Sequence, residues 1–136
     1  HLHDALESSD SYEASKAERQ AVNFKVQSSS AEMTKLAEGR MWKERLEQRF
    51  DCQIYFPVHD EVVASCAVED LVEFIPAMHR CMVAKYATMQ VPIASSISIG
   101  RSFGEQLEIG NEPTREAIEE GLNKLAESSC KQLENP

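Results

Sequence analysis

Apolar positions change their spacing several times along this chain, and the changes mark its elements. His1 to Leu6 reads as a short strand and Glu7 to Asp10 as a polar turn, after which Tyr12 to Phe24 is rich in helix formers. A first helix is expected to start near Tyr12. Ser28, Ser29 and Ser30 interrupt it. Ser29 followed by Glu32 has capping-box spacing, which predicts a second helix through Met33, Leu36, Trp42 and Leu46 toward Phe50. The apolar residues of that second helix form no clean single stripe, as in a helix touched from more than one side.

Gln53 to Val58 and Val62 to Cys66 are short runs rich in β-branched and aromatic residues, separated by His59, Asp60 and Glu61. They predict a β-hairpin with charge at its tip. From Val68 the spacing turns helical, with Val68, Leu71, Val72, Ile75, Met78 or His79, and Met82 recurring every three or four residues. Pro76 is expected to kink that helix or to mark a late start. A further strand is expected from Ile93 to Ile99, ending at Gly100. Asn111 to Pro113 leads into a last amphipathic helix with Ile118, Leu122, Leu125 and Ala126 on one face. The order helix, helix, hairpin, helix, strand predicts an α+β fold in which an antiparallel sheet packs against helices.

Composition adds bounds. With 136 residues, 42% of them hydrophobic, the chain can fill one modest core as one domain or as a piece of a larger one. Its longest uncharged stretch, Tyr86 to Gly100, is mixed with Thr, Gln, Ser and Pro and is no membrane span, so a soluble protein is expected. Cys52, Cys66, Cys81 and Cys130 lie far apart in sequence with no Cys-x-x-Cys pair, which argues against a zinc ribbon or a thioredoxin-type site and for free thiols in a reducing cytosol. The chain opens at His1 without the basic and apolar regions of a signal peptide, which implies that other sequence precedes it.

A net charge of -9 speaks against phosphate binding when taken as a sum. Its distribution says otherwise: Lys16 to Arg49 carries eight basic and five acidic residues. Positive charge is concentrated in that one segment, which reads either as a contact surface for an anion or as a solvated, salt-bridged helix.

Two groups of residues carry candidate chemistry. Asp60 and Glu61 are adjacent like charges at a hairpin tip, a costly arrangement that a cation relieves, and their hard oxygens suit magnesium. Taken alone, the tripeptide reads better as a plain polar turn. Arg19, Asn23 and Gln27 recur every four residues, so in a helix they lie within about 80° of one another on one face. Such a comb can donate to the minor-groove acceptors that all base pairs present alike, or it can be an exposed helix face.

The two groups occur in the order and at the separation seen in family A (DNA polymerase I-like) DNA polymerases, and the chain resembles the C-terminal part of that family's palm. Glu18 to Gln27 resembles the Arg, Asn and Gln segment that follows the fingers, and Val58-His59-Asp60-Glu61-Val62-Val63 resembles motif C. The helix after the hairpin, the Val91-Pro92-Ile93 entry into a last strand, and its end at Gly100 are similar too. The resemblance covers about Arg19 to Ile109, and Leu2 to Asp10 is similar to the family's strand before the comb. It implies residues 1–110 as C-terminal palm and 111–136 as a helical extension, with some likeness to phage enzymes.

By the same resemblance, Asp60 and Glu61 are the catalytic and metal-binding carboxylates, with Asp60 on the magnesium ions. His59 touches the primer terminus, and Arg19, Asn23 and Gln27 contact the minor-groove side of the primer-template DNA. The reaction implied is attack of a primer 3′-hydroxyl on the α-phosphate of a deoxynucleoside triphosphate with two metals, in the cytoplasm of a bacterium or phage-infected host. The family's motif A aspartate, its fingers helix with Lys and Tyr, and its thumb have no counterpart here. An upstream polymerase part is therefore the expected partner, and the chain is not expected to act alone. Pro57 stands where the family commonly has Gln and removes a backbone donor from the strand; Ser28 to Ser30 replace a Gly-containing segment. The other functions weighed are a non-catalytic palm-like module that binds duplex or a protein partner, and a small metal-dependent hydrolase using His59, Asp60 and Glu61. Three consecutive residues cannot all point at one ion, which ranks the hydrolase last.

Overall fold

A computed structural model of the chain describes residues 11–86 and 89–134. The strand expected from His1 to Leu6 lies outside them. Helix α1 (Ser11–Lys43) starts where the composition predicts but runs unbroken for 33 residues, so the expected interruption at Ser28 to Ser30 is absent. The Ser29 hydroxyl donates to the Lys25 carbonyl at 2.9 Å and the Thr34 hydroxyl to the Ser30 carbonyl at 3.1 Å. These side chains bond back to the preceding turn instead of capping a new helix. Arg45, in the left-handed region at φ 54°, turns the chain into the four-residue α2 (Leu46–Arg49) and drops Leu46 into the core.

Strands β1 (Cys52–Val58) and β2 (Glu61–Cys66) form the expected hairpin. Its ladder has a bulge: Ile54 pairs with Ala64 and Pro57 with Val62, so Tyr55 and Phe56 together face Val63. The irregularity falls next to Pro57, which has no N–H to give to the ladder. A 3₁₀ turn (Val68–Asp70) leads into α3 (Leu71–Val83), and Pro76 sits inside this helix rather than at its start.

The later strand, β3 (Ile97–Ser102), begins four residues after the expected position and continues through Gly100 into a second hairpin with β4 (Glu105–Gly110), which the sequence pattern did not suggest. Gly100 is a close-approach position: a Cβ there would collide with the Glu105 carbonyl. The antiparallel strands thus form two separate two-stranded sheets. Helix α4 (Arg115–Glu134) begins behind Thr114, whose hydroxyl accepts from the Ala117 N–H at 3.2 Å.

Helix α3 lies at the centre. Its buried Phe74, Ile75, Ala77 and Cys81 pack with Ala37 and Met41 of α1, Leu46 of α2, Ile99 of β3 and Ile118 of α4. Phe50 meets Phe74 edge to face at 5.7 Å. Arg40 of α1 donates to the carbonyls of Cys81 and Lys85 at 3.1 and 3.3 Å, satisfying acceptors at and beyond the end of α3. Val62, Ala64 and Cys66 line the face of β2 turned to this core, with Cys52 and Ile54 beside them.

Candidate functional site

The β1–β2 hairpin has a two-residue loop, His59 and Asp60, with Val58 and Glu61 as the pair that closes it. His59 adopts φ 57°, and the chain has no other positive-φ residue in this hairpin. That conformation at the first loop position matches the twist of the flanking strands, and glycine is its usual occupant. Alternation from Val62 sends the Glu61 side chain to the face away from the core, while Asp60 lies in the turn itself.

His59, Asp60 and Glu61 are all exposed. Among the described residues neither carboxylate has a hydrogen bond or an ion pair. Two hard, unpaired oxygen-bearing groups on a braced hairpin suit magnesium as a donor set, but no group of three or more His, Cys, Asp or Glu side chains gathers among the described residues. Among the described residues, Asp60 and Glu61 are the carboxylates that the tip offers to an ion.

Arg19, Asn23 and Gln27 do share one face of α1, and all three are exposed. The Arg19 Nε donates to the Ser15 carbonyl at 3.2 Å, which holds the guanidinium along the helix. Glu18, Arg19, Val22 and Asn23 line a shallow open depression there. Val22, Phe24 and Val26 are exposed beside the comb, so this half of α1 carries both polar and apolar surface. No hydrogen bond or ion pair among the described residues joins the comb to the hairpin tip; what links them is packing, since α1 lies against β2 and α3.

Cys52 and Cys66 lie far apart in sequence. The structure sets Cys52 directly opposite Cys66 at the base of the hairpin. Counting from a His59–Asp60 loop without a bulge would pair Cys66 with Gln53 instead. The extra residue at Tyr55 and Phe56 shifts the register by one, and no sequence signal fixes a bulge at that position.

An α+β chain with a carboxylate-tipped hairpin backed by a polar helix is the arrangement on which the family match falls. The sequence profile of DNA polymerase family A matches residues 2–105. DNA polymerase I of Borreliella burgdorferi is 30% identical over 100 residues, covering 74% of this chain and 11% of that protein. DNA polymerase I of Mycobacterium leprae is 31% identical, over 73% of this chain and 11% of its own length. The DNA polymerase of Bacillus phage SP01 is 27% identical over 129 residues, 90% of this chain and 14% of its own length. No solved structure matches. The chain belongs to DNA polymerase family A, and it spans only a small part of the length of these relatives. No described helix is long and apolar enough to cross a membrane.

Proposed function

We propose that this chain forms the C-terminal palm part of a DNA-directed DNA polymerase, with residues 1–110 as palm and 111–136 as a helical extension against the rest of the enzyme. The observation that carries the reading is the pair of exposed, unpartnered carboxylates Asp60 and Glu61 at the hairpin tip of a chain whose family match covers residues 2–105.

In this reading Asp60 and Glu61 hold magnesium, Asp60 foremost, and a carboxylate outside this chain completes the set. Bound magnesium supplies charge stabilisation for the attacking and leaving oxygens. His59 orients the primer terminus, so that the 3′-oxygen forms a bond to the α-phosphorus of the deoxynucleoside triphosphate as pyrophosphate leaves. Arg19, Asn23 and Gln27 donate to minor-groove acceptors and hold the duplex without reading its sequence. The partner is the upstream polymerase part with motif A, fingers and thumb, and the setting is the cytoplasm of a bacterium or of a phage-infected host.

Primer extension in magnesium tests this, with the chain alone and together with the matching upstream polymerase part. Extension by the mixture only, lost with Asp60→Ala, is expected. Association of the two parts with primer-template but no extension would replace this reading with a palm-like module that binds duplex without catalysis.

A further inference from the structure

The base of the β1–β2 hairpin, at the other end of the strands from His59 and Asp60, brings two thiols together. Cys52 and Cys66 are direct cross-strand partners and both lie on the core side of the hairpin. The Ala67 N–H donates to the Asp51 carbonyl at 2.8 Å, so the flanking position is the hydrogen-bonded pair and Cys52–Cys66 is the non-hydrogen-bonded one. Such pairs are the closer kind, with Cα atoms about 4.5 Å apart, which lies inside the range that a disulfide spans. Both residues are half-buried and border an open hollow with Glu47, Asp51 and Ser65, so a small molecule can reach them.

We propose that Cys52 and Cys66 form a reversible cross-strand disulfide, made by exchange with a low-molecular-weight disulfide, that clamps the register of this hairpin. One thiol loses its proton, its thiolate attacks a sulfur of the small disulfide, and one small thiolate leaves. The second thiolate then attacks the mixed disulfide and expels the other small thiolate. Two protein thiols and one small disulfide become one protein disulfide and two small thiols. The Cys52 thiol, which now donates to the Leu46 carbonyl at 3.6 Å, gives up that weak bond. A metal site is the less suitable use of the pair, because no third ligand gathers with it among the described residues.

The surroundings select the oxidant. Burial first, then Glu47, Asp70 and Asp51, raise the Cys52 thiol above its ordinary range; burial, Cys52 and the Asp70, Asp51 and Glu69 carboxylates do the same to Cys66. Exchange is therefore slow at neutral pH, and the acidic rim favours a neutral small disulfide over an anionic one.

The test is to incubate the reduced chain with neutral 2-hydroxyethyl disulfide, quench with an alkylating agent, and map the cysteines by mass spectrometry. The expected product links Cys52 to Cys66 with the loss of two hydrogens, exceeding mixed disulfide at Cys66 by at least roughly tenfold, because the second thiol acts at high effective concentration. With Cys52→Ser, the small-thiol adduct on Cys66 persists instead. Stable mixed disulfides at Cys52 or Cys66 of the unaltered chain, or both thiols still free after an incubation many times longer than the one in which exposed Cys130 reacts fully, would overturn the proposal, and neither result depends on the variant folding.

Discussion

Glu61 stands directly across the β1–β2 hairpin from Val58, so the first paired residue beyond the turn carries its carboxylate on the face turned away from the core. Asp60 precedes it in the turn, and neither acid has a protein partner among the described residues. Removing one member of an exposed like-charged pair takes nothing from the fold. Asp60→Ala is thus expected to leave the melting temperature unchanged or slightly raised. In the assembled polymerase it should lower the extension rate by more than the roughly 100-fold that loss of a ligand's supporting partner costs. Glu61→Gln should lower it less. Melting curves and single-turnover extension on the same samples check both halves, and a variant that loses extension only as it unfolds would contradict the assignment.

His59 separates stability from function at the same tip. Its positive φ costs an L-residue about 1 kcal/mol that glycine does not pay. His59→Gly should stabilise the hairpin, or at worst leave it unchanged after the entropy that glycine adds to the unfolded chain, while weakening primer-terminus positioning. His59→Val, β-branched in the same conformation, should destabilise it. Urea unfolding ranks the three chains as Gly at or above His, and His above Val.

The comb on α1 predicts a difference in salt response. Asn23→Ala and Gln27→Ala remove neutral donors, so each should weaken primer-template binding by the assembled enzyme by about 1 kcal/mol with no change in the slope of affinity against salt. Arg19→Ala also removes a charge, and should flatten that slope by up to about one unit if the guanidinium displaces a counterion. Alanine favours the helix, so no stability is lost at these exposed positions. Fluorescence anisotropy at several salt concentrations distinguishes the two responses.

The hairpin tip was legible because β-branched and aromatic runs flank His59, Asp60 and Glu61, and the comb because its four-residue period survives any small error in helix boundary. Ser28 to Ser30 misled, since a serine hydroxyl serves equally well as a cap or as a donor to the preceding turn; buried Thr34 and Ala37 place the following stretch of the same helix in the core. Strand β4 was invisible because Glu105–Gly110 has just two large apolar residues, Leu107 and Ile109, to show its alternation. Pro57 signalled irregular pairing but not which residues would be doubled, and so the Cys52–Cys66 register was out of reach.

Gly121 marks where α4 crosses the second hairpin. A Cβ there would sit 2.7 Å from Cγ2 of Ile109 and 2.8 Å from Cδ1 of Ile99. Gly121→Ala gains helix propensity and the Cδ1 end of Ile99 can rotate aside, but the Ile109 Cγ2 methyl is held at its β-carbon and cannot, so a small net loss is expected. Gly121→Val cannot be absorbed that way and should cost at least about 2 kcal/mol through overpacking. Denaturant midpoints of the two variants check the contrast, and equal midpoints would mean that α4 does not approach β3 and β4 this closely.

The thiol at Cys66 gives the chain an alkaline signature. Burial, Cys52 and nearby carboxylates push it from an ordinary 9.0 up to about 11. Its folded form holds the proton more tightly than the unfolded form, so the associated stability is fully present below pH 9 and falls away as pH rises toward 11. Under a reductant that keeps every thiol free, the urea midpoint should therefore decline across that window. Cys66→Ser should flatten the decline, whereas Cys130→Ser, at an exposed position on α4, should leave it intact. A decline that persists unchanged in Cys66→Ser would have to come from other titrating groups and would remove the electrostatic ground for slow thiol exchange at neutral pH.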